Sequence, residues 1–180
     1  IKRNAIRLLG LINQLLDLSK LEAAKLELEA SLSNIVSFVK GVTQSFESLA
    51  EQKDIKLKIV AEKENNEIYF DKEKMLKILS NILSNALKFT PEDGEIGITI
   101  KTNPPFNSPL PDGKAGFTKG GKEGDSVEIK IKDNGIGIPE EELPKLFERF
   151  YQVETSQVKK YGGTGIGLAL TKELVELHHG

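Results

Sequence analysis

Leu8, Leu11, Ile12, Leu15 and Leu18 recur at helical spacing, and Leu9, Leu16 and Leu21 widen the apolar face. A stripe that broad on a short helix suits a helix bundle, with a terminal helix docked on its own domain as the plainer alternative. Ser31 or Ser33 can cap the next helix, which Ile35, Val39, Val42, Phe46 and Leu49 carry to about Gln52. Residues 56–61 alternate and are rich in β-branched side chains, which predicts a strand, and 67–70 predicts a second, shorter one. Asp71 opens a helix to about Phe89, stopped by Thr90 and Pro91. Residues 95–101 and 127–132 have the pattern of an antiparallel pair. Between them, 102–126 is full of Pro, Gly, Asn, Asp and Lys and predicts a mobile loop. A short helix at about 140–147 follows Pro139, then a polar stretch at 152–161, and a last helix at about 165–178. Long helices beside antiparallel strands predict an α+β class, a sandwich in which helices cover one sheet.

With 180 residues, the chain has room for one ordinary domain plus an appendage. At 38% hydrophobic and 29% charged it can build a core, which argues against global disorder. A formal net charge of -2 gives no general pull toward nucleic acid. The chain has no cysteine, which excludes disulfides, thiolate catalysis and sulfur-ligated metals. No apolar run approaches the roughly 20 residues needed to cross a bilayer. The first residue is Ile1, already inside a helical pattern, so the chain is expected to be a piece of a longer one.

Three segments carry candidate chemistry. On the 71–89 helix, Lys74, Lys77, Asn81, Asn85 and Lys88 share a face without a carboxylate. Asparagine oxygens are hard, neutral ligands suited to a magnesium ion that already carries phosphate oxygens, and a lysine one turn on can neutralise phosphate. A plain solvated face is the alternative. Next, Asp133-Asn134-Gly135-Ile136-Gly137-Ile138-Pro139 follows a strand directly. Its glycines let backbone pass close to a flat ligand, and Asp133 can accept from an exocyclic amine, which would select adenine; a tight turn is the bland reading. Third, Gly162-Gly163-Thr164-Gly165-Ile166-Gly167-Leu168 opens the final helix, where exposed N–H groups make an anion site. The polar stretch before it is expected to fold over phosphates as a lid.

Two decoys fall away. Gly163-x-Gly165-x-Gly167 follows a polar loop rather than a strand and lacks the dinucleotide spacing. Gly116 to Lys122 imitates a P-loop, but Glu123 stands where Ser or Thr is needed.

The three segments stand in the order of the histidine kinase catalytic domain, a member of the GHKL ATPase superfamily with its Bergerat-type ATP fold. Asn81 to Thr90 resembles the N box, Asp133 to Pro139 the first glycine box, Leu146 to Tyr151 the F box, and Gly163 to Leu168 the second glycine box. Residues 4–28 resemble the second helix of the dimerisation and histidine-phosphotransfer hairpin, so the resemblance covers nearly the whole chain. It implies a partial phosphotransfer domain at 1–29 and a catalytic domain at 30–180, a two-layer α/β sandwich lacking its last strands. It further implies that Asn85, helped by Asn81, coordinates Mg²⁺ on ATP, that Lys88 contacts phosphate and that Phe89 borders the nucleotide. Asp133 would bond the adenine amine, with Gly135 and Gly137 giving access, and Thr164, Gly165, Gly167 and Leu168 would line the phosphates.

Partners implied are a phosphoacceptor helix of the same parent, expected upstream of Ile1, a response-regulator receiver domain, and a second protomer of a homodimeric parent. That parent is expected to be anchored in the inner membrane, with this portion cytoplasmic. Many relatives carry a basic residue where this chain has Gln152, which leaves Arg149 as the substitute γ-phosphate contact. His178 and His179 sit at a helix end, where imidazole favours the dipole, and are read as structural rather than as phosphoacceptors. Two rivals remain beside a kinase module: a degenerate nucleotide-holding or dimerisation module, and another GHKL ATPase.

Overall fold

The computed structural model describes residues 26–103, 126–153 and 163–180, together with Ile12, Leu16 and Ser19, which are helical. Most of the leucine stripe, the centre of the 102–126 insertion and most of the expected lid lie outside the described residues. The chain divides into two compact units, with Ala30–Ile136 in one and Gly137–His178 in the other.

In the first unit the strands form two hydrogen-bonded groups rather than the single sheet expected. β1 (Ser31–Asn34) pairs antiparallel with β3 (Glu67–Phe70), while β2 (Lys56–Ala61), β4 (Glu95–Asn103) and β5 (Ser126–Asp133) form a three-stranded sheet in the order β2-β4-β5. β2 runs parallel to β4 and β5 antiparallel to it. A parallel pair needs a long crossover. Here β3 and the long helix α3 (Lys72–Phe89) supply it. Alternation decides which face is covered: Ile96, Ile98 and Ile100 of β4 are at most 2% exposed. The register sets Ile98 between Ile59 and Ile131, and Ile100 between Ala61 and Ile129, so apolar rows run across the sheet. Against them lie Leu79, Leu83, Ala86 and Leu87 of α3 and Ile35, Val36, Val39 and Val42 of α1 (Ile35–Gln44), all buried. This is the helix-covered α+β arrangement expected.

The helix expected from Ser31 or Ser33 to Gln52 is corrected at both ends. Residues 31–34 are drawn into strand pairing, and Asn34 is the cap, its Oδ1 accepting from Val36 N at 3.0 Å and Ser37 N at 3.3 Å. The helix breaks at Ser45-Phe46, and a short α2 (Glu47–Glu51) follows. Ser45 Oγ donates to Val42 O at 2.6 Å, the local side-chain bond that competes with helix continuation. Asp71 is the N-cap of α3, accepting from Lys74 N at 3.0 Å, and its other oxygen makes a close ion pair with Lys74 Nζ. Lys74 is thus committed to a buried carboxylate and leaves the amide face of the helix shorter than its sequence suggests.

In the second unit, Glu140–Lys145 is a 3-10 helix rather than an α-helix, with Pro144 inside it. The last helix, α4 (Gly167–Leu177), starts two residues later than expected and buries Ala169, Leu170, Thr171 and Leu174. It ends as a glycine-terminated helix does: His179 takes φ 62° and Gly180 N donates to Val175 O at 3.0 Å. The His178 ring donates through Nδ1 to Leu174 O at 2.7 Å, so this imidazole caps a helix end. Among the described residues no helix is long and apolar enough to cross a membrane.

Candidate functional site

Within the first unit, the end of α3 and the turn after β5 are built as one joint. α3 stops because Thr90 turns extended, with Pro91 behind it. The chain returns through Asp93, at φ 61°, and Gly94 into β4. Two observations then tie the turn to the helix: Ile136 N donates to Phe89 O at 3.3 Å, and a Cβ on Gly135 would lie 2.6 Å from that same oxygen. Gly135 is therefore glycine because protein backbone occupies the space, a closer reason than ligand access. Gly94 is caught likewise, since a Cβ there would press on the Thr90 methyl and stand 2.8 Å from Pro91 O. Gly137 differs: it has open space around it but φ +69°, so conformation alone selects glycine.

The joint brings the first two sequence-predicted groups into one unit. Asn81 and Asn85 stand one turn apart on α3, both half-buried, and Lys88 and Phe89 close the same helix. Lys88 Nζ lies 4.6 Å from the Phe89 ring centroid, a cation–π distance. Lys53 Nζ donates to Leu87 O at 2.8 Å, a cation on the carbonyl end of the helix. Asp133 is exposed at the end of β5, and its Oδ1 accepts from Gly135 N at 2.9 Å. That bond fixes one carboxylate oxygen and leaves the other available as an acceptor. Among the described residues no group of three or more His, Cys, Asp or Glu side chains is placed to hold a metal ion. The amide oxygens here are neutral, which suits a hard cation when the ligand brings its own anionic oxygens, and the ammonium group of Lys88 suits those oxygens in turn.

The second unit holds the remaining predicted residues. Phe150 N donates to Gly165 O at 2.9 Å, so the F-box end and the second glycine box are tied. Both residues have positive φ, 63° at Phe150 and 67° at Gly165, and a Cβ on Gly165 would come within 2.6 Å of Phe150 Cα. Thr164 Oγ1 accepts from Ile166 N at 3.2 Å, which turns the chain into α4, where Gly167 and Leu168 form the first turn. Gln152 Nε2 donates to Gly163 O at 3.1 Å, binding this loop. Arg149 reaches Glu173 of α4 at 4.0 Å. An alanine at 165 meets both an unfavourable left-handed backbone angle and the Phe150 main chain. Gly165→Ala is expected to lower stability by about 2–4 kcal/mol. Thermal unfolding checks this, and an unchanged midpoint would contradict the tie.

Asn134 holds the turn by a contact that none of the three sequence motifs announces. Its Oδ1 accepts from Glu95 N at 2.8 Å and its N donates to Glu95 O at 3.2 Å. The available signal was an asparagine directly after a strand, a residue type whose side chain mimics a backbone acceptor.

Residues 70–180 match the family model of the histidine kinase-, DNA gyrase B- and HSP90-like ATPases. The chain is 38% identical over its full length to hybrid signal transduction histidine kinase D of Dictyostelium discoideum, of which it covers 11%. It is 34% identical over 97% of its length to the sensor histidine kinase WalK of Bacillus subtilis, of which it covers 25%. Among solved structures, full-length ShkA in complex with AMPPNP superposes with a TM-score of 0.71 at 26% identity, over 95% of this chain and 31% of that one. The chain thus spans a quarter or less of the two curated relatives. Because that family model spans more than half of the sequence, the chain belongs to the histidine kinase-, DNA gyrase B- and HSP90-like ATPases.

Proposed function

We propose that this chain is the ATP-binding kinase module of a two-component sensor histidine kinase. In this reading residues 30–180 form the catalytic domain, and 1–29 belong to the phosphotransfer hairpin of a homodimeric, membrane-anchored parent. The γ-phosphoryl group goes to a histidine outside these 180 residues, and from there to a response-regulator aspartate.

The observation that carries it is the joint itself, where Phe89 O receives Ile136 N and packs on Gly135. It places the asparagine-bearing helix and the acid-glycine turn in one rigid corner. Asp133 accepts the exocyclic amine of adenine, and Phe89 borders the base. Asn85 and Asn81 would hold Mg²⁺ through their amide oxygens, whose neutrality fits an ion already charge-balanced by phosphate. Bound there, magnesium would supply charge neutralisation for the phosphoryl group. Lys88 neutralises phosphate, Thr164, Gly165, Gly167 and Leu168 line it with backbone N–H groups, and Arg149 supplies a further cation. An acceptor imidazole nitrogen attacks the γ-phosphorus in line as the bond to the departing ADP oxygen breaks. The residues contribute placement and charge neutralisation rather than covalent chemistry.

Gln152 favours a second reading, a module that holds nucleotide without transferring phosphate, because its amide is bound to Gly163 O instead of presenting a cation. The two readings separate when the parent's phosphoacceptor helix is supplied in trans. With radiolabelled ATP, the kinase reading expects acid-labile label on that helix and none on this chain. Stable label on this chain would contradict the structural reading of His178 and His179, and no label anywhere would favour the nucleotide-holding module.

A further inference from the structure

We propose that Asn134 is the positioning residue for Asp133, clamping the strand end that presents the carboxylate without touching nucleotide itself. This rests on the adenine-acceptor role given to Asp133 above. The β4–β5 ladder runs down to the pair Ile96 and Asp133, and the next pair in register is Glu95 with Asn134. In a regular antiparallel sheet that pair would exchange two backbone hydrogen bonds. Here Asn134 N donates to Glu95 O, but the acceptor for Glu95 N is the Asn134 side chain, at 2.8 Å.

The substitution of a side-chain oxygen for a backbone oxygen has a consequence for the turn. The Asn134 carbonyl is released from the sheet one residue early, yet Glu95 N keeps a partner. The backbone is then free to bend, and Gly135 comes under Phe89 O, where only glycine fits. From that position Gly135 N reaches Asp133 Oδ1 at 2.9 Å and orients the carboxylate. Glu95, the residue gripped, is itself anchored by its side chain to Lys58 Nζ at 2.7 Å. Asp133 is thereby held from both sides, by the ladder before it and the clamp after it.

The test is a calorimetric titration of Mg·ATP into the wild type, Asn134→Ala, Asn134→Asp, Asp133→Asn and the double variant Asn134→Ala/Asp133→Asn. Asn134→Ala is expected to weaken binding about tenfold, and Asn134→Asp, which keeps an acceptor in place, by no more than about threefold. In the Asp133→Asn background the alanine should cost nothing further, since the clamp has no carboxylate left to hold. If Asn134→Ala fails to fold, Asn134→Gln, which displaces the oxygen by one methylene, is expected to show the same loss and the same dependence on Asp133. An equal loss in both backgrounds, or no rescue by aspartate, overturns the clamp and leaves Asp133 in its role. Wild-type affinity in Asp133→Asn alone would instead overturn the adenine assignment, and the clamp with it.

Discussion

Gly135→Ala is expected to reduce Mg·ATP affinity at least about tenfold, while Gly137→Ala, two residues on, should cost only a few-fold. The difference follows from what surrounds each Cα. At Gly135 an added methyl would stand 2.6 Å from Phe89 O and 2.7 Å from Asp133 Oδ1, so the turn must move off the helix. That movement strains the bond from Ile136 N to Phe89 O and the bond from Gly135 N to Asp133, each worth about 0.5–1.5 kcal/mol. Overpacking adds about 1–3 kcal/mol. At Gly137 nothing lies within 4 Å, and only the positive φ resists, at about 1–2 kcal/mol. Calorimetry on both variants reads the difference, and equal losses would mean that the joint does not position the carboxylate.

Asn85→Ala is expected to abolish the gain in ATP affinity that magnesium brings, a loss on the order of 10–100-fold, while leaving magnesium-free binding unchanged. Alanine is the better helix former, so α3 should be no less stable and the loss cannot be assigned to unfolding. Titrations with magnesium and with a chelator separate the two terms. The same magnesium gain in wild type and variant would remove Asn85 from the metal.

Much of the scaffold was legible because it depends on local pattern. The alternation in 56–61 and the 3.6-residue rhythm from Asp71 to Phe89 gave β2 and α3 with their true ends. What could not be read depends on partners distant in sequence. Ser31 and Ser33 look like helix caps until Glu67–Phe70 pairs with them. Lys74 looks like part of a cationic face until buried Asp71 takes it. The site residues were named for ligand contacts, yet the reasons for Gly135 and Gly165 lie in Phe89 and Phe150, whose backbones approach only after folding. Gly165 also shows why the last helix starts late: a left-handed residue cannot belong to it.

Whether Asp133 selects the base is read most directly by titrating ATP and GTP, each with magnesium, into the wild type and into Asp133→Asn. Replacing the carboxylate with an amide removes a charged acceptor worth about 1.5–3 kcal/mol, so ATP should bind roughly 10–150-fold more weakly and its preference over GTP should shrink. Equal ATP affinity in the two proteins, with the preference intact, would contradict the assignment of this corner as the nucleotide site.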